Sequence, residues 1–143
     1  MRALVTGGVG FVGTNLIKRL LKDGYDVTSL DNYSTGFKEN EQKGCEYHHR
    51  DLSNSDWWAL WDNCECQFSC DCQIEPVDII YHLAALSRIQ PSFENPLLTY
   101  DTNVTGTQMV CEFAKNVSRR RHWFILFILF ELPCLRARRG CLS

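Results

Sequence analysis

Apolar positions change their period repeatedly along this chain, and each change marks an element. Residues 2–6, Arg-Ala-Leu-Val-Thr, form a short buried-strand run that stops at glycines. From Phe11 to Lys22 the spacing is helical. Val12, Leu16, Ile17, Leu20 and Leu21 fall on one face, and Asn15, Lys18, Arg19 and Lys22 on the other. Gly24 is placed to end that helix in a left-handed cap. Residues 27–30 predict a second strand with Asp31 at its end, residues 32–44 a polar loop, and residues 45–49 a short strand. Ser53 or Ser55 is placed to cap a helix through Trp57, Trp58, Leu60 and Trp61. Residues 77–83, Val-Asp-Ile-Ile-Tyr-His-Leu, predict a buried strand. Asn95-Pro96 then has the cap-and-first-turn pattern of a helix running to about Asn116, and residues 123–130 read as a last apolar strand. Strands that alternate with helices predict an α/β fold, a doubly wound parallel sheet covered on both faces.

The first strand-to-helix junction carries the clearest chemistry. In Thr6-Gly7-Gly8-Val9-Gly10-Phe11-Val12-Gly13, three glycines stand three residues apart. Gly7 permits the tight turn out of the strand. Gly10 lets a pyrophosphate approach bare backbone. Gly13 lets the helix pack close to the sheet. Unpaired N–H groups at the helix start, reinforced by the helix dipole, favour the phosphate charge. Asp31, 18 residues beyond Gly13, ends the next strand. A carboxylate there accepts hydrogen bonds from the adenosine ribose and repels a 2′-phosphate. No Arg or Lys follows it closely, which favours NAD over NADP.

Composition changes the picture in two places. The formal net charge of -2 gives no reason to expect a nucleic-acid partner, but the charge is unevenly spread. Residues 1–118 carry 9 Lys/Arg and 16 Asp/Glu, while residues 119–143 carry 6 Arg and one Glu. The longest apolar run, residues 123–130, is far short of the roughly 20 residues of a membrane span, so no membrane partner is expected. Only three apolar residues separate Met1-Arg2 from the glycine turn, which leaves no room for a secretory core of about 7–15 residues. A cytoplasmic location is expected, with the eight cysteines mostly reduced.

With these residues in hand, the chain resembles the extended short-chain dehydrogenase/reductases. Within them it resembles the NAD-dependent, UDP-glucose 4-epimerase-like family of nucleotide-sugar epimerases and dehydratases. Five segments carry the resemblance, in order: the glycine turn, Leu30-Asp31-Asn32-Tyr33, Arg50-Asp51-Leu52, His82-Leu83-Ala84-Ala85 and Asn103-Val104-Thr105-Gly106-Thr107. It implies a Rossmann-type NAD-binding domain over residues 1–118, interrupted by a Cys-rich insertion near residues 63–74 and followed by a divergent tail, residues 119–143. It also implies that Phe11, Val12, Asp31, Asn32, Ser34, Gly36, Asp51, Leu52, Leu83, Ala84, Ala85 and Asn103 contact NAD. Ser87 and Arg88 would stand at the boundary with a nucleotide-sugar substrate, and a homodimer is compatible with the family.

The family's general base is a Tyr activated by a Lys four residues later on the same helix face. None of Tyr25, Tyr33, Tyr47, Tyr81 and Tyr100 has a Lys at that spacing, so no catalytic residue is assigned. The sequence reads as an NAD-binding N-terminal fragment, inactive alone, with a non-catalytic NAD-binding or regulatory module as the alternative. The compositional break after residue 118 fits a shifted reading frame better than a tail with a new use. Cys64, Cys66, Cys70 and Cys72 are more tightly spaced than the usual zinc pairs, so reduced thiols on a surface excursion are expected rather than a metal site. Trp57 and Trp61 share a helix face and read as core. One of His48 and His49 is expected to face solvent. His82 is expected to satisfy backbone groups, and Thr99, Tyr100 and Met109 to pack a helix.

Overall fold

The computed structural model describes residues 1–54 and 77–117. Among the described residues, four parallel strands, β1 (Arg2–Thr6), β2 (Asp26–Asp31), β3 (Cys45–His49) and β4 (Ile79–His82), form one sheet in the order β3-β2-β1-β4. β1 lies between β2 and β4, with Ala3 opposite Val27 and Ile79, and Thr6 opposite Leu30 and His82. A central parallel strand is covered on both faces, which is why its apolar run does not alternate with polar residues. Strand alternation sends Ala3 and Val5 to one face and Leu4 to the other.

Helix α1 (Phe11–Lys22) covers the first face, packing Ile17 and Leu20 on Ala3, Val5 and Val27. It ends as expected at Gly24, whose φ of 80° lets the chain turn back while its N–H reaches the Leu21 carbonyl. Helix α4 (Gly106–Val117) covers the opposite face, packing Val110, Phe113 and Ala114 on Leu4, Leu30 and Ile80. Helices on both faces of a parallel sheet make this the doubly wound, Rossmann-type arrangement. Among the described residues no helix is long and apolar enough to cross a membrane.

Three expectations are corrected. Val12 is exposed, because the face that α1 buries is rotated to Gly13, Thr14, Ile17 and Leu20. The strand expected over residues 77–83 is shorter, Ile79–His82, and Asp78 just before it donates its N–H to the Arg2 carbonyl and accepts the Arg2 N–H on its carboxylate, both at 2.9 Å. The long helix after Asn95 is not uniform. A short helix α2 (Ile89–Glu94) precedes it, and α3 (Pro96–Tyr100) passes through a π turn (Asp101–Thr105) before α4 begins. Asn95 does cap α3, its side chain accepting from the Leu98 N–H at 3.2 Å. The expected helix near Trp57, the cysteine cluster, the strand at residues 123–130 and the Arg-rich tail lie outside the described residues.

Candidate functional site

The carboxyl ends of β1, β2 and β4 open into one cleft of about 250 Å³. The neighbours of β1 connect to opposite faces of the sheet, and such a switch point leaves a crevice. At its floor the chain turns at Gly7 with φ 74°, and a β-carbon there would stand 2.8 Å from the Ala84 nitrogen. A β-carbon on Gly13 would overlap the Gly7 carbonyl oxygen, so only glycine lets α1 start this close to β1. Gly10 precedes α1 without a side-chain cap, and the first turn holds no acidic residue. The N–H groups of Phe11, Val12 and Gly13 find no acceptor among the described residues, so the positive end of the helix dipole is left open at the cleft.

The β2 end supplies acceptors. The Asp31 carboxylate accepts the Val9 N–H on one oxygen at 3.0 Å and the Tyr33 N–H on the other at 2.8 Å. A carboxylate has about four lone-pair positions, so further donors can still be met. Tyr33 adopts φ 56°, held by that bond and by its hydroxyl donating to Glu41 at 2.7 Å. Burial, then the Glu41 bond, pushes its phenol pKa up. Asp51 accepts from the Asn32 amide at 3.1 Å and from the Ser53 hydroxyl at 2.7 Å and N–H at 2.9 Å. Burial opposes its charge most strongly, but these donors together hold the Asp51 carboxyl below its usual range.

The far wall is the segment after β4. Thr6 accepts the N–H groups of Leu83 and Ala84 on its hydroxyl oxygen at 3.1 and 3.2 Å. The Asn103 side chain clamps Leu86, accepting its N–H at 2.8 Å and donating to its carbonyl at 2.9 Å. His82 is 3% exposed, and burial alone pushes its pKa down to about 4. Its ring meets the hydroxyls of Thr6 at 2.7 Å and Thr107 at 2.9 Å.

The sequence also matches the profile of the NAD dependent epimerase/dehydratase family over residues 3–126. The chain belongs to that family. It is 36% identical over 123 residues to UDP-glucuronic acid decarboxylase 1 of Danio rerio, covering 83% of this chain and 26% of that protein. It is 32% identical over 112 residues to a protein of Methanocaldococcus jannaschii described as a putative UDP-glucose 4-epimerase, covering 78% and 33%. A crystal structure of Thermus thermophilus UDP-glucose 4-epimerase in complex with NAD superposes with a TM-score of 0.68 at 31% identity, covering 82% of this chain and 34% of that one. A UDP-galactose 4-epimerase structure superposes with a TM-score of 0.71 at 31% identity, covering 89% and 37%. The chain thus spans between a quarter and two-fifths of the length of these epimerase/dehydratase relatives.

Of the residues that the glycine spacing or the family resemblance singles out, Gly7, Gly10, Phe11, Val12, Gly13, Asp31, Asn32, Ser34, Asp51, Leu52, Leu83, Ala84 and Ala85 line the cleft. Gly36 and Asn103 do not. Gly36 lies against Val9, where a β-carbon would meet the Val9 side chain at 2.5 Å, and Asn103 holds Leu86. Ser87 lines the cleft and Arg88 does not. Leu30, Thr35, Arg50, Leu86 and Thr102 line it without having been singled out. Arg50 stood in a quoted motif, but its approach to the Asp31 end depends on β3 pairing with β2, where Asp31 faces His49. His49 is exposed and His48 half-buried.

Proposed function

We propose that this chain holds NAD in the cleft and supplies the cofactor half of a nucleotide-sugar epimerase or dehydratase. The observation that carries the reading is the uncapped start of α1. Three N–H groups without an acceptor among the described residues border a cleft whose other end presents Asp31. A pyrophosphate suits the helix start, where backbone donors and dipole attract negative charge without any cationic side chain. That local field matters because residues 1–118 are net acidic and would not attract an anion at long range. Ribose hydroxyls suit the remaining lone pairs of Asp31. Leu52, Leu83, Ala84 and Ala85 offer apolar surface along the same cleft. Bound there, NAD would supply a hydride acceptor for a sugar carbon, and this chain's own residues would orient it.

A second reading, an NAD-binding module without turnover, is favoured by the lack of a Lys four residues after any of the five tyrosines. Two measurements separate the readings. Calorimetric titration of the purified chain with NAD, with NADP alongside because Arg50 also lines the cleft, tests cofactor binding. Saturable binding of NAD, lost in Asp31→Ala, supports the proposal. A folded chain with no affinity for either dinucleotide overturns it. A coupled assay with UDP-galactose then separates the readings, with turnover above background excluding the module without turnover.

A further inference from the structure

We infer that His82 and Thr107 are positioning residues that set the cleft wall of residues 83–86 against the Gly7 turn. The inference rests on the dinucleotide reading and deepens it. Its basis is a chain of hydrogen bonds whose polarity is settled by counting protons. The Thr6 hydroxyl oxygen accepts the Ala84 N–H and shares the Leu83 N–H with the Thr6 carbonyl, so its own hydrogen can point at His82 Nδ1, 2.7 Å away. At the other end the Thr107 hydroxyl donates to the Asn103 carbonyl at 2.7 Å. It therefore meets His82 Nε2, at 2.9 Å, as an acceptor. Only the neutral imidazole with its proton on Nε2 satisfies both neighbours.

The chain runs from the Gly7 turn to the Leu86 backbone. Thr6 is the residue before Gly7, and its oxygen holds the start of the wall. His82 joins it to Thr107. Thr107 fixes the Asn103 carbonyl, and the Asn103 amide holds both backbone groups of Leu86. Asn103 lies within the π turn, a local widening often found where a helix serves a site.

These polar groups sit on the α4 face of the sheet, beside Leu4, Ile80, Val110 and Phe113, where apolar side chains would pack without needing partners. A satisfied polar network instead admits one arrangement of its members and excludes sliding between them. Leu83, Ala84, Ala85 and Leu86 all line the cleft, so their placement bears directly on what it can hold. The depressed pKa of His82 agrees with a ring kept neutral by burial.

The test compares the full chain with Thr107→Val, which has the same shape without the hydroxyl, and Thr107→Ser, which keeps it. NAD affinity is measured by calorimetry well below each variant's unfolding midpoint. Thr107→Val is expected to bind NAD about tenfold more weakly, because the His82 N–H loses its acceptor. Thr107→Ser is expected to stay close to wild type. Unchanged NAD affinity in folded Thr107→Val, with only its melting lowered, makes Thr107 a packing residue and overturns the inference. Nitrogen-15 NMR of the wild-type imidazole is the second readout, and it stands even where Thr107→Val does not fold. A neutral Nε2–H tautomer at neutral pH supports the chain of bonds. An Nδ1–H tautomer or an imidazolium there overturns it. Absence of NAD binding by wild type is a failure of the dinucleotide reading itself, and leaves the tautomer to decide the network.

Discussion

The backbone N–H of Val9, inside the glycine turn, donates to the Asp31 carboxylate at 3.0 Å. The residue proposed to offer acceptors to a ribose therefore also pins the loop proposed to offer donors to a pyrophosphate. The two halves of the cleft are coupled through one side chain.

Asp31→Ala is accordingly expected to weaken NAD binding by about tenfold or more, since bonds to a charged group are each worth about 1.5–3 kcal/mol. Amide exchange at Val9 should accelerate in the same variant. Asp31→Asn, which keeps an acceptor for Val9, should restore that protection while recovering only part of the affinity. Unchanged Val9 exchange in Asp31→Ala would remove the pinning role.

Gly13→Ala tests the close approach of α1 to the glycine turn. A β-carbon there overlaps the Gly7 carbonyl and crowds Gly8, so the helix start must shift. Such overpacking costs about 1–3 kcal/mol, readable as a lower urea midpoint. NAD binding should fall further than stability does, because the displaced N–H groups are those facing the cleft.

Stability should depend on pH through His82. Unfolded, the ring titrates near 6.5; folded, burial pushes it down to about 4. Between those values the unfolded chain binds a proton that the folded chain does not. The contribution is therefore complete above about pH 6.5, declines as the pH falls, and is lost by about pH 4. Its size is about 3 kcal/mol. Urea unfolding across that window should show a steeper loss in wild type than in His82→Gln, and parallel curves would contradict the assignment.

Phe113 is 2% exposed and anchors α4 to Leu4, Leu30 and Ile80. Truncation by Phe113→Ala should cost about 3–5 kcal/mol in denaturant unfolding. A loss below about 1 kcal/mol would mean that α4 repacks to fill the space.

Much of this was legible from residue order. The runs in β1 and β3, the period of α1, the Gly24 cap and the Asn95-Pro96 signal mark their elements because each depends on neighbours within a turn or two. The glycine spacing and Asp31 mark the cleft for the same reason. Val12 was misplaced because a helical wheel locates an apolar face only to within about one position, and packing on Ala3, Val5 and Val27 settled the rotation. The π turn between α3 and α4 left no periodic signature. It contains Asn103, whose amide meets the Leu86 backbone 17 residues away.

By itself the sequence determined the order of strands and helices, the glycine turn and the acid that faces it, since those rest on local conformation and short-range periodicity. Only the tertiary structure decided that Arg50 stands at the Asp31 end, that Asp31 grips Val9, and that Thr6, His82 and Thr107 form one hydrogen-bonded chain. Those relationships join residues up to 76 positions apart, from Thr6 to His82. They exist because parallel pairing of β1 with β4 aligns the ends of two strands, and no local pattern records which strands will be neighbours.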